Sequence, residues 1–151
     1  MIINLFCLFI AKILYSPLFP SCPWLNLHQT VLFSDEDQGT DMLLMDYVPN
    51  VSVTKQVVCD LCIGKTVPGK IRIFHFTKSE NDQENIMEIV QQQIDQEDYY
   101  DGSEPTILPI LCKYGVDQVI RSQDHNYQLY NNNCWHFSTR LVRGATSLLH
   151  Y

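Results

Sequence analysis

The chain has 151 residues, 46% of them hydrophobic and 18% charged, which is the composition of one ordinary globular domain. Six Gly and seven Pro exclude a collagen-like or low-complexity chain, and the apolar fraction is too high for a disordered one. Ten Lys+Arg against seventeen Asp+Glu give a net charge of −7. That balance argues against nucleic acid as a partner, because phosphate binding needs clustered positive charge, and against electrostatic docking on an anionic membrane.

Residues 1–25 hold one charge, Lys12, and an apolar run from Ile2 to Ala11. The run is long enough for the apolar core of a signal peptide, but no basic residue precedes it and no small-x-small cleavage site follows. A spanning helix needs about 20 apolar residues, and Lys12, Pro17, Pro20 and Pro23 interrupt this one. The expectation is therefore a hydrophobic leader, either a helix or an extension packed on the domain, followed by a single domain over 26–151. A signal or membrane anchor is the alternative, and membrane association would run through this segment. A cytoplasmic or membrane-associated chain is favoured slightly over a secreted one. The glycosylation triplet Asn50-Val51-Ser52 has meaning only if the chain is secreted.

From His28 the pattern becomes that of strands. HQTVLF (28–33) and MLLMDYV (42–48), joined by a short acidic loop with Gly39, read as a hairpin. Residues 51–64 are ambiguous: β-branched residues favour a strand, while Val57 and Leu61 share a helical face. KIRIFHF (70–76) alternates with period two and makes a third strand. Residues 79–104 carry nine acids and no Lys or Arg. Asn81 with Glu84 forms a capping box there, and Ile86, Ile89, Val90 and Ile94 mark one face of an amphipathic helix over 82–98. A second helix starts at Pro109 and is broken or bent near Gly115. Tyr127 to Tyr130 is short and extended. The last helix follows Asn131-Asn132-Asn133 and runs through Phe137, Leu141, Ala145 and Leu148. The fold class expected is α+β, a small antiparallel sheet packed against two to three helices.

The chemistry concentrates in NNNCWHF (131–137). Three Asn before an amphipathic pattern cap a helix start, which places Cys134 in the first turn, at the positive end of the helix dipole. That position favours a thiolate, and the N–H groups of Cys134 and Trp135 are candidate oxyanion donors. The structural alternative is a buried core cysteine. A nucleophile needs a base. His136 is two positions along the same helix, about 200° around it, and is expected to pack or hydrogen-bond behind the thiol. His75 lies late in the third strand, opposite Phe74 and Phe76. His125 and His150 read as exposed. His28 opens a strand, and Asp46, in the middle of the next apolar run, is costly there unless paired. Cys134, His28 and Asp46 then form a complete triad, although Asp46 could equally face solvent.

Asn132-Asn133-Cys134-Trp135-His136-Phe137-Ser138 resembles the nucleophile helix of circularly permuted papain-fold thiol enzymes. Two branches are similar: the lecithin:retinol acyltransferase-like proteins, with Asn-Cys-Glu-His-Phe, and the PPPDE peptidase-like proteins, with Asn-Cys-Asn-His-Phe. In both, the His lies upstream on an early strand and the Cys downstream on a helix, as His28 and Cys134 do. Asp46 stands where the acyltransferase-like branch has a third polar residue on the second strand, usually His, and so departs from that pattern; Trp135 departs from both branches. The likeness covers residues 28–145 by order of elements and seven residues by motif. It implies a permuted papain-like fold with the Cys helix C-terminal. It also implies a thiol hydrolase or acyltransferase acting through an acyl-thioester on a peptide, isopeptide or lipid acyl substrate, with Asn133, Trp135 and His136 supporting the nucleophile. No metal or organic cofactor is needed.

Cys59-Asp60-Leu61-Cys62 is half of a zinc site without its second pair, so Cys59 and Cys62 are expected to be structural. The rival readings are a non-catalytic binding domain of the same fold, with Trp135 closing the cleft, and a small secreted protein in which Cys134 is disulfide-bonded. Oligomeric state is left open.

Overall fold

Antiparallel pairing of consecutive strands organises the chain. The computed structural model describes residues 9–16, 28–35, 41–77, 108 and 110–146. Their elements, in chain order, are β1 (Phe9–Ser16), β2 (His28–Asp35), β3 (Asp41–Pro49), α1 (Lys55–Cys62), β4 (Val67–Thr77), α2 (Ile110–Arg121), β5 (Asn126–Tyr127) and α3 (Cys134–Thr146). The sheet has the order β1-β2-β3-β4-β5, each strand beside its neighbour in sequence. The architecture is α+β, as the sequence pattern implied.

The expected hairpin forms, with Thr30 opposite Asp46 and Leu32 opposite Leu44. Along β2 and β3 the side chains alternate between two buried faces. Val31, Phe33, Leu43, Met45 and Tyr47 join the main core with Leu61 of α1, Cys112 and Val116 of α2, Tyr127 of β5, and Phe137, Leu141 and Ala145 of α3. Leu32, Met42, Leu44 and Phe74 form a second cluster on the alternate positions. A strand buried on both faces needs an unbroken apolar run, which is what Met42 to Met45 supplies.

Part of the hydrophobic leader is in the sheet. Residues 9–16 form β1, paired to β2 from Phe9 opposite Asp35 to Ser16 opposite His28, where a helix or a packed extension was expected. Ala11 packs on the main core and Leu14 on the second cluster, while Lys12 is exposed. A short run needs only one hydrogen-bonded neighbour and two inward side chains to hold an edge, and a charge on that edge discourages further pairing. The ambiguous segment resolves as helix α1: Thr54 caps it, its hydroxyl accepting from Val57 N–H at 3.3 Å, and Leu61 is buried. The acidic helix over 82–98 and Leu148 lie outside the described residues.

The second helix differs from expectation in one respect. It runs unbroken through Gly115, because that glycine serves a crossing rather than a bend. A Cβ on Gly115 would overlap the carbonyl of Gly144 on α3, and one on Gly144 would press on Gly115 and Val119. The two backbones touch, which seats α3 and hence its first residue, Cys134. Helix propensity alone favours Gly115→Ala by about 1 kcal/mol, whereas forcing the helices apart costs about 1–3 kcal/mol. Gly115→Ala is therefore expected to lower the urea midpoint of unfolding, and an unchanged or raised midpoint would show that the contact is not this close.

Candidate active site

The first turn of α3 is fixed by its asparagines. The Oδ1 of Asn133 accepts from the N–H of Trp135 at 2.9 Å and of His136 at 3.2 Å, the geometry of an N-cap. Its amide nitrogen donates to Leu129 O. Asn132 donates to Asn126 O at 2.7 Å and Asp124 O at 3.0 Å, and its Oδ1 accepts from Gln123 Nε2 at 3.0 Å and from Arg140 at 3.3 Å. The backbones of Gln128 and Asn132 bond reciprocally at 3.0 and 3.1 Å. Cys134 therefore begins the helix at a point held from several sides, and its side chain is buried and forms no disulfide with another described residue.

The sulfur meets the end of β2. The backbone N–H of Gln29 donates to Cys134 Sγ at 3.5 Å, although the two residues are 105 positions apart. The preceding residue is His28, only 4% exposed. Its Nε2 is 2.8 Å from Oδ2 of Asp46, which is completely buried. The structure thus brings together all three residues of the triad read from the sequence. Asp46 is held on its other side by Arg72, its register partner on β4, whose Nε donates to Oδ1 at 2.8 Å and whose Nη2 donates to Oδ2. The Arg72 guanidinium also lies 5.8 Å from the centre of the Phe74 ring. Asp46 does not face solvent; it sits between two cations.

Two cationic partners decide the charge states. Burial opposes ionisation of Asp46 most strongly, but the hydrogen bonds from His28 and Arg72 outweigh it and hold the carboxyl below its usual range. Burial is likewise the largest influence on His28 and favours the neutral ring. The Asp46 hydrogen bond and then the Cys134 sulfur overcome it, and His28 is pushed up to about 9. Its Nδ1 is buried without a hydrogen-bond partner of ordinary geometry. The Cys134 sulfur lies close enough to favour the charged ring.

Of the helix N–H groups expected to bind an oxyanion, that of Trp135 is engaged by the Asn133 cap, which also takes the N–H of His136. The Gln29 N–H is the donor already aimed at the sulfur. His136 is exposed, with Nδ1 2.8 Å from Asn133 Oδ1, so it supports the cap from behind the thiol. Trp135 is 46% exposed and meets Tyr15 of β1 edge to face at 6.4 Å, beside the buried thiol. His125 is exposed and His75 pairs with Leu43, so neither is part of this cluster. Cys59 and Cys62 are exposed thiols on α1, and among the described residues no group of three or more His, Cys, Asp or Glu could hold a metal.

A groove of about 910 Å³ reaches Cys134 and Tyr127 at one end and follows Thr139, Arg140 and Arg143 along α3. Those three positions are 140–240° around the helix from Cys134 at 100° per residue, so the groove mostly follows the side away from the thiol. Sequence reasoning missed Arg72 and Gln29. A charge inside the alternating run Lys70 to Phe74 was the available signal for Arg72; a backbone N–H leaves no signal at all. Comparison with family models, curated proteins and solved structures finds no match to this chain.

Two consequences are measurable. Asp46→Ala strips a buried carboxylate from both cations and is expected to cost about 3–5 kcal/mol in chemical unfolding; a loss below 1 kcal/mol would show the cluster to be solvated. His28 is raised when folded, so its contribution is fully present below about 6.5 and is lost as pH rises through about 9. In a Cys134→Ser background, which removes the neighbouring thiol titration, stability should fall across that window. Adding His28→Gln should flatten the fall, and parallel curves for the two variants would contradict the assignment.

Proposed function

We propose that the chain is a thiol hydrolase or acyltransferase of permuted papain-like fold, acting through an acyl-thioester on Cys134. The observation that supports this most directly is the meeting of a helix-initial thiol with the end of β2, where His28 is locked to a buried Asp46. Such a juxtaposition of nucleophile, base and orienting acid has no need of a metal ion or an organic cofactor. The order of elements, a His-bearing early strand and a Cys-bearing late helix, agrees with the family resemblance in residues 132–138.

The charge states assign the steps. His28 retains its proton up to about 9, so at neutral pH an imidazolium stands beside the sulfur, and the nucleophile in this reading is the thiolate, the reactive form of any cysteine. The sulfur attacks the substrate carbonyl carbon, and the Gln29 N–H lies where it can shift from the sulfur to the developing oxyanion. The bond to the leaving group breaks as His28 gives that group its proton. The neutral ring then takes a proton from water or an acceptor nucleophile, which attacks the thioester and frees Cys134. Asp46 keeps Nε2 occupied and leaves Nδ1 for the transfer. A peptide or isopeptide bond and a lipid acyl ester both suit this chemistry.

The test is acylation by a small activated ester, followed by intact-protein and peptide mass spectrometry. One acyl group is expected on Cys134, removable by hydroxylamine. Cys134→Ala should abolish it, and His28→Ala should slow it by about 10²–10⁴-fold, the usual worth of a positioned acid–base group. Acylation of Cys134 at the same rate with and without His28 would refute the enzyme reading and leave a binding domain.

A further inference from the structure

The groove that reaches Cys134 has a charge unlike that of the chain. The protein carries −7 overall, yet along α3 the groove is lined by two arginines, Arg140 and Arg143. They stand three positions apart and so share one side of the helix. Arg140 is fixed from behind by neutral acceptors. Its Nη2 donates to Oε1 of the buried Gln123 and, at 3.3 Å, to Asn132 Oδ1, while its Nε donates to His136 O at 3.4 Å. Gln123 is held in turn, its Nε2 donating to Asp124 O at 2.9 Å and to Asn132 Oδ1 at 3.0 Å. Arg143 is exposed, and neither arginine has an ion-pair partner among the described residues. Asp124 also lines the groove, but its Oδ1 accepts from the Asn126 N–H at 3.0 Å and from the Asn126 side-chain amide at 2.9 Å.

We propose that the groove takes an acidic peptide, whose carboxylates pair with Arg140 and Arg143 while its scissile bond lies at Cys134. The substrate role rests on the thiol-enzyme reading above and chooses a peptide over a lipid acyl group within it. An arginine keeps its charge at any working pH, and its planar fork matches a carboxylate. Arg140, already held by neutral groups, has little left to reorganise when one arrives. Position sets the spacing. Arg140 and Arg143 come six and nine residues after Cys134, about 9 and 13.5 Å along the helix axis. An extended chain advances about 3.3 Å per residue, so the acids belong about three to five residues from the scissile carbonyl. A lipid acyl chain would lay methylenes there and leave both guanidiniums unmatched. The net charge of −7 repels an acidic peptide from the protein as a whole, which confines its attraction to this groove.

The probes are rhodamine-labelled decapeptides of alternating Glu-Gly and alternating Lys-Gly, together with phosphatidylglycerol vesicles. Binding of each peptide is followed by fluorescence anisotropy, and net charge alone would favour the Lys peptide. The Glu peptide is expected to bind about tenfold more tightly, and Arg143→Glu should weaken it about tenfold, the worth of reversing one exposed ion pair. Arg143→Gln should weaken it about threefold, and it decides the matter if Arg143→Glu does not fold. Saturating Glu peptide should also slow alkylation of Cys134 by iodoacetamide several-fold, because the groove reaches the sulfur. Equal or tighter binding of the Lys peptide, Glu-peptide binding unchanged in the Arg143 variant, or alkylation unaffected by bound peptide overturns the proposal. Vesicle binding that needs Arg143, without Glu-peptide binding, also overturns it and gives the groove to a lipid headgroup. Glu-peptide binding as expected, with acylation of Cys134 indifferent to His28, overturns the enzyme reading and the substrate role and leaves a peptide-binding groove.

Discussion

A carboxylate with no contact to solvent must be matched from within, and the site depends on how Asp46 is matched. Removing such a group from water costs several kcal/mol, and one cation in good geometry barely offsets it. Here two cations converge: Arg72 forks onto both oxygens while His28 binds Oδ2. Arg72 fixes the charge of Asp46 whatever the state of His28, and this permanence allows Asp46 to act on the imidazole as a constant field. Without Arg72, Asp46 and His28 would form a pair able to neutralise together. With it, the negative charge stays, and the ring retains its proton far above its ordinary range.

The same cluster ties chemistry to the sheet. His28, Asp46 and Arg72 come from three adjacent strands, β2, β3 and β4, and register places Asp46 directly between Thr30 and Arg72. Asp46 alternates with Met45 and Tyr47, so the main core holds the strand by its other side. A register slip of one residue would put Asp46 among Val31, Phe33 and Phe137 and draw Met45 to His28. Pairing energy, core packing and the charge cluster therefore select the same alignment. The nucleophile is added from the far end of the chain by α3, whose crossing with α2 at Gly115 and Gly144 sets its depth.

How much of this was legible in the sequence follows from the range of each interaction. The β2–β3 hairpin and α3 were readable because period-two and period-3.6 patterns are local. The Asn cap was readable because the residues that accept the first helical N–H groups lie within three positions of them. Asp46 was half readable: a charge in an apolar run demands a partner, but the run does not say which. β1 was misread because Ala11 and Leu14 point to different clusters on opposite faces, so residues 9–16 show no alternation of polar and apolar. Gly115 was misread as a bend because a glycine required by a neighbouring backbone looks, in one dimension, like a glycine that breaks a helix. Gln29 acts through its main chain, which any residue but proline would supply.

The arrangement around Cys134 also shows why a helix N-terminus is not by itself an active site. The first turn of α3 has unpaired N–H groups in principle, and those groups would favour both thiolate and oxyanion. Asn133 takes two of them for the cap, which gains helix stability at the expense of direct catalytic donors. A cap so satisfied gives rigidity at the point where Sγ leaves the helix, and positioning of a nucleophile within a fraction of an ångström is itself worth orders of magnitude in rate. In the proposed reaction, electrostatic stabilisation then comes in part from outside the helix, and the Gln29 N–H of β2 is positioned for it. That group belongs to a strand paired into the sheet on both sides. The thiol chemistry proposed for this site would then be divided between a helix that aims the sulfur and a sheet that supplies the His28–Asp46 pair and the Gln29 N–H.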